Sequence, residues 1–249
     1  SRSPICDMED IGSLNEMEAQ IFSSVQERDA CAEALVKAKS ELEVIIFQLV
    51  RFLKDGKPAP MRKRDGNIYA LIDLVNEIGE HVQPNGTPEQ KQLAGKDVAR
   101  FFYLMRNHET TFDFDLNLAE RQSDENPVFY VQYAHARICS VIDKAAEAGF
   151  TGNAANVGLL VDPKEKALTI KLCDLPNEIK RAASDYSVNR LATYAVELAR
   201  TYHAFYDSCR VIQSDEPALS NARVALCLAT RIGLRATFAL LGISAPERM

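Results

Sequence analysis

Three rings, Phe129, Tyr130 and Tyr133, share one short stretch with three side chains rich in donors, Gln132, His135 and Arg137. An unstacked nucleic-acid base needs a flat ring to stack on and a hydrogen-bonding edge to be read against, so this mixture suits single-stranded RNA. The stretch reads NPVFYVQYAHARICSVI from Asn126 to Ile142. Asn126 supplies a side-chain acceptor at a helix start, and Pro127 a preset φ in the first turn. Val128, Val131, Ala134, Ile138 and Ile142 follow at a spacing of three or four, which marks one buried helical face. The rings and donors lie all round the rest of that helix, so spacing leaves open which of them meet a ligand. A core helix with a tyrosine rim is the plainer reading of the same residues.

A second chemical candidate is Met61-Arg62-Lys63-Arg64-Asp65-Gly66-Asn67. Successive cations beside a glycine that permits close backbone approach can hold a phosphate, and a solvated basic turn has the same composition. Asp113 and Asp115 alternate with Phe112 and Phe114, which puts both acids on one solvent-facing side of an extended piece. No third ligand accompanies them, so no metal site is expected there. The six cysteines are scattered without a CxxC pair, and the four histidines lack metal spacing. Reduced thiols and no metal are the expectation.

The elements that must position these groups are mostly helical. Residues 1–40 read as an acidic amphipathic helix or helix pair, with Ile11, Leu14, Met17, Ile21 and Val25 on one face, a surface for packing or for a protein partner. Leu42 to Leu53 is a dense apolar run, consistent with a buried strand, and Asp55-Gly56-Lys57-Pro58 breaks it. Leu71 to Gly79 is a short helix, residues 80–96 an exposed loop marked by Pro84, Asn85, Gly86 and Pro88, and Asp97 to Arg106 a helix. Asp162-Pro163-Lys164-Glu165 is a capping-box start for a helix to about Leu172, and Asp174 to Pro176 starts another. Leu191, Tyr194, Leu198, Tyr202, Phe205 and Tyr206 line a long helix, its tyrosines read as bundle core with hydroxyls at the rim. Glu216-Pro217 opens the last helix and Gly242 closes it. Helices with short connections make an antiparallel bundle.

A chain of 249 residues forms one or two domains with a sizeable core. No run of apolar residues is expected to span a membrane, and a soluble intracellular protein is the default. The net charge of −6 resides in residues 1–43, with ten acids against four bases, and the remainder balances at 25 against 25. Charge therefore says nothing for or against a polyanion partner.

Beside this reading stands a resemblance. NPVFYVQYAHARI is similar to the NPVxYVQYAHARI segment of bacterial-type arginyl-tRNA synthetases, at the entrance to their helical anticodon-binding domain. QLVRFLKDGKPAPMRKRDGN resembles the family's KMSKS-like segment, with Arg62 where the family carries serine. DVARFFYLMR, FDFDLNLA, YHAFYDSCRVI, ARVAL and GISAPERM resemble it too, in family order, over about residues 42–249. The resemblance implies a mainly α fold, with an antiparallel helical bundle of the DALR type at 111–249. Before it would come a small strand-loop-helix remnant of the catalytic domain at 41–110 and the acidic segment at 1–40. It implies that Lys63, Arg64 and Gly66 meet the phosphates of ATP, and that the closing Arg248 and Met249 fold back beside an anticodon pocket. The expected tRNA-binding residues are Gln132, Tyr133, His135, Arg137, Arg248 and Met249, with Gln132, His135 or Arg137 offering donors to a cytosine carbonyl. The expected partner is arginine tRNA, its central anticodon cytosine read by the bundle.

No His-x-Gly-His motif occurs, and no strand–helix repeat long enough for a nucleotide-binding fold. The resemblance then implies the tRNA-binding part of arginine–tRNA ligase, unable to make arginyl-adenylate alone. A separate catalytic half is a further expected partner, and the expected compartment is the cytoplasm or an organellar matrix. The alternative is a non-catalytic relative, a structural or RNA-binding subunit that docks a protein through its acidic N-terminal helices.

Overall fold

Asp55 and Gly56 both take positive φ, 54° and 70°, the backbone that a two-residue hairpin turn of this hand requires. They join β1 (Val50–Lys54) to the short β2 (Lys57–Pro58). The computed structural model describes residues 45–58 and 70–249. The expected N-terminal helices and the basic Met61–Asn67 loop, with Lys63, Arg64 and Gly66, lie outside the described residues.

Phe47–Met249 form one unit of the chain. The hairpin leads through α1 (Leu71–Val82) and α2 (Pro88–Leu104) to β3 (Phe112–Asp115) and the single-turn α3 (Leu116–Ala119). The strand order is β2-β1-β3, with β3 parallel to β1 from Val50 opposite Phe112 to Leu53 opposite Asp115. Of the expected strand over Leu42–Leu53, the described part begins at residue 45 and is strand only from Val50. Ile46, Phe47 and Leu49 are about three-quarters exposed, and the ladder extends only as far as the four residues of β3 can pair. Phe112 and Phe114 point into the core against Phe102 and Tyr103. Asp113 forms a two-pronged pair with Arg51 at 2.7 and 3.0 Å, and Asp115 caps α3, so the two carboxylates serve separate structural ends.

The loop expected over residues 80–96 is a correction. Only Gln83–Thr87 connects α1 and α2, because Thr87-Pro88-Glu89-Gln90 is itself a helix start. Thr87 Oγ1 accepts from the Gln90 N–H at 3.3 Å, and Gln90 Oε1 accepts from the Thr87 N–H at 2.8 Å. Gly95 lets the two helices touch: a Cβ there would lie 1.9 Å from the Val75 carbonyl oxygen.

The bundle comprises α4 (Pro127–Glu147), α5 (Pro163–Cys173), α6 (Leu175–Asp185), α7 (Asn189–Ser208) and α8 (Pro217–Leu241), with a 3-10 turn at Ala154–Leu159. Tyr194 and Tyr202 are fully buried, the first donating to the Lys171 carbonyl at 3.1 Å, so that part of the tyrosine stripe is core. At the head of α5 the capping Glu165 also pairs with Arg223 of α8 at 2.6 Å, deep in the bundle. Contrary to the sequence reading, α8 is long and apolar enough to cross a membrane by length and composition. It packs instead into the bundle, burying Leu226, Cys227, Leu234, Phe238 and Leu241.

Candidate nucleic-acid interface

The orientation of α4 is set at its first residue. Asn126 is buried, its Oδ1 accepts from the Val128 N–H at 3.0 Å, and its Nδ2 donates to the carbonyls of Ala119 and Arg121 at 3.1 and 2.9 Å. That ties α4 to α3. Val128, Val131, Ala134 and Ile138 then turn inward at 0% exposure, as their spacing predicts. Positions 129, 132, 133 and 137 are left on the rest of the helix.

Beyond α8 the chain turns back. Gly242 takes a φ of 67°, and the Ile243 N–H bonds to the Phe238 carbonyl at 3.0 Å, a left-handed helix end that redirects the last residues. Three anchors hold them. Arg100 Nε donates to the Leu241 carbonyl at 2.6 Å, Asp97 Oδ2 accepts from the Ser244 N–H at 3.0 Å, and His135 Nδ1 meets the Pro246 carbonyl at 2.8 Å.

Between α2, α4 and this tail lies a cleft of about 590 Å³. Asp97, Phe129, Gln132, Pro246, Arg248 and Met249 line it, with Arg121 at its rim. On the adjoining face of α4, Tyr133 is 40% exposed and lies parallel to Phe129, with centroids 6.3 Å apart and planes within 5°. Arg137 bridges the Tyr133 and Tyr206 rings at 5.4 and 4.8 Å from their centroids, and His203 of α7 stacks on Tyr133 at 6.3 Å. Cleft and ring surface meet at the Phe129–Tyr133 pair.

The six expected residues thus separate into three kinds. Gln132, Arg248 and Met249 share the cleft, and Tyr133 and Arg137 share the ring surface. His135 is corrected: at 1% exposure it is not a group that a ligand meets, and its work is to hold the tail. Burial keeps its imidazole below the ordinary range, as it does for His203, where Arg137 adds to the effect. Gln132 is corrected in part. Its side-chain nitrogen is already engaged by Asp97 and Ser244, so it is not a free donor. Sequence reasoning missed Asp97, Ser244 and His203. Asp97 is 1% exposed, and burial raises its carboxyl against the opposing bonds from Ser244 and Gln132. Its one sequence signal was an acid inside an apolar helix, where a carboxylate must find donors.

Residues 131–249 match a family model described as the DALR anticodon binding domain. The arginine–tRNA ligase of Heliobacterium modesticaldum is 45% identical over 216 residues, 84% of this chain and 35% of that protein. That of Ruminiclostridium cellulolyticum is 38% identical over 239 residues, 95% of this chain and 39% of that protein. The solved arginyl-tRNA synthetase of Thermus thermophilus superposes with a TM-score of 0.65 at 25% identity, over 82% of this chain and 35% of that one. The chain spans a little over a third of the length of these curated relatives. Over most of its length the chain is similar to a little over a third of these arginyl-tRNA synthetases, and its residues 131–249 match the DALR anticodon-binding domain.

Proposed function

We propose that the chain is the tRNA-binding part of an arginine–tRNA ligase and reads the anticodon of arginine tRNA in support of aminoacylation. The observation that carries this reading is the cleft between α2, α4 and the folded-back tail, with the Phe129–Tyr133 ring pair at its edge. A splayed base can stack on such a ring while its polar edge enters a cleft of mixed apolar and hydrogen-bonding lining. Arg121 and Arg248 on the cleft, and Arg137 on the ring surface, supply cations for the neighbouring phosphates. In this proposal Gln132, Arg248 and Met249 meet the central base, Tyr133 and Arg137 meet its neighbours, and His135 acts through the tail.

ATP binding by Lys63, Arg64 and Gly66 is an expectation of the family resemblance. A cytoplasmic setting, or an organellar matrix, goes with a translation enzyme. The test is a titration of the chain with arginine tRNA and with the same tRNA altered at its central anticodon base. The proposal expects a clear drop in affinity on that single change, and equal affinities would refute it.

A further inference from the structure

The Gln132 side-chain nitrogen faces three oxygens: Asp97 Oδ2 at 3.1 Å, the Ser244 carbonyl at 3.1 Å and Ser244 Oγ at 3.2 Å. The carbonyl can only accept, and Asp97 Oδ2 already receives both the backbone N–H and the hydroxyl of Ser244. Turning the amide over would press Gln132 Oε1 against two acceptors. The network therefore decides an orientation that amide shape alone leaves open, with nitrogen inward. The amide oxygen has no partner among the described residues, and Gln132 lines the cleft. An amide oxygen accepts and cannot donate.

Resting on the anticodon-reading proposal above, we infer that Gln132 selects a base edge bearing an exocyclic amino group. Among pyrimidines it favours cytosine over uracil, and Asp97 is the positioning residue that fixes this choice by orienting Gln132 and holding Ser244. This reverses the donor role that the residue type first suggests. The cytosine amine approaches the Gln132 oxygen, whereas uracil turns a carbonyl toward it and leaves two acceptors facing each other. Asp97 lines the cleft at only 1% exposure, its second oxygen, Oδ1, buried without a hydrogen-bond partner, so it acts on the base through Gln132.

The test measures binding of the full chain to anticodon stem-loop RNAs whose central base is cytosine, uracil, guanine or pyrimidin-2-one, the last being cytosine without its 4-amino group. The expected result is that cytosine binds roughly tenfold tighter than pyrimidin-2-one, the scale of one hydrogen bond in a partly buried site. Uracil should be no better than pyrimidin-2-one. Gln132→Leu should bring cytosine and pyrimidin-2-one together. Asp97→Asn, which keeps an acceptor for the amide, should preserve the ratio, and Asp97→Leu, which removes it, should lower the ratio. Thermal melts confine each comparison to folded protein. If the unaltered chain rejects a purine but treats cytosine and pyrimidin-2-one alike, or if Gln132→Leu retains the ratio, the inference fails while anticodon reading stands. An undiminished ratio in Asp97→Leu removes the role of Asp97. Indifference of the unaltered chain to every central base overturns the anticodon reading and this inference with it.

Discussion

Tyr133 keeps two-fifths of its surface in solvent although Phe129, His203 and Arg137 all pack on it. A ring held in place by neighbours and still exposed to solvent offers surface on which a base can stack. Tyr133→Ala should therefore weaken RNA binding by about 1–3 kcal/mol in a direct titration. A variant that melts earlier but binds unchanged per folded molecule would mark the ring as packing only. His135 and His203 lead to a pH prediction. Both imidazoles are held below their ordinary 6.5, chiefly by burial. Their contribution to stability is then full above about pH 6.5 and is lost as the pH falls through the lower folded values, because only the unfolded chain gains the protons. Asp97, with its carboxyl raised, acts in the opposite sense nearer the carboxylate range. Denaturation midpoints should fall from pH 7 toward pH 5, and His135→Gln should flatten that slope; a parallel slope in the variant would contradict the assignment. At this scale the sequence showed the ring and donor content of α4 and its inward face. It did not show that His135 is sealed, because the lid over it is Pro246, 111 residues away. Helical periodicity has no access to such a contact.

At the scale of elements, the cleft depends on α2 lying against α1 as well as on α4. Gly95 sits where a Cβ would meet the Val75 carbonyl at 1.9 Å, a backbone atom with no rotamer to yield. Gly95→Ala should push α2 outward at a cost of about 1–3 kcal/mol. Urea denaturation would check it, with an unchanged midpoint as the contrary result. The helix starts at Asn126, Asp162 and Pro217 were all legible, since cap acceptors and first-turn prolines are local signals. The start at Thr87 was hidden by surrounding prolines and glycines that resemble a loop by composition. The glycine that looks like a breaker is there to let two helices approach. The length of β1 was likewise illegible, because a strand ends where its partner ends and β3 offers four residues.

Across the whole molecule, a small sheet and an α1–α2 pair lead into a bundle whose last helix sends its tail back to α2 and α4. Asp97 bonds to Ser244 across 147 positions of sequence, and Arg100 reaches Leu241 across 141. These long-range bonds make the cleft, and no local pattern could announce them. Only the family resemblance implied a closing segment folded back beside an anticodon pocket. The central claim is that this cleft reads one base of an anticodon. Its most direct test is the affinity of the chain for arginine tRNA and for its central-base variant at two salt concentrations. Phosphate contacts should make both affinities fall with salt, while the ratio between the two RNAs stays well above one at either concentration. A ratio of one at both concentrations would contradict the account.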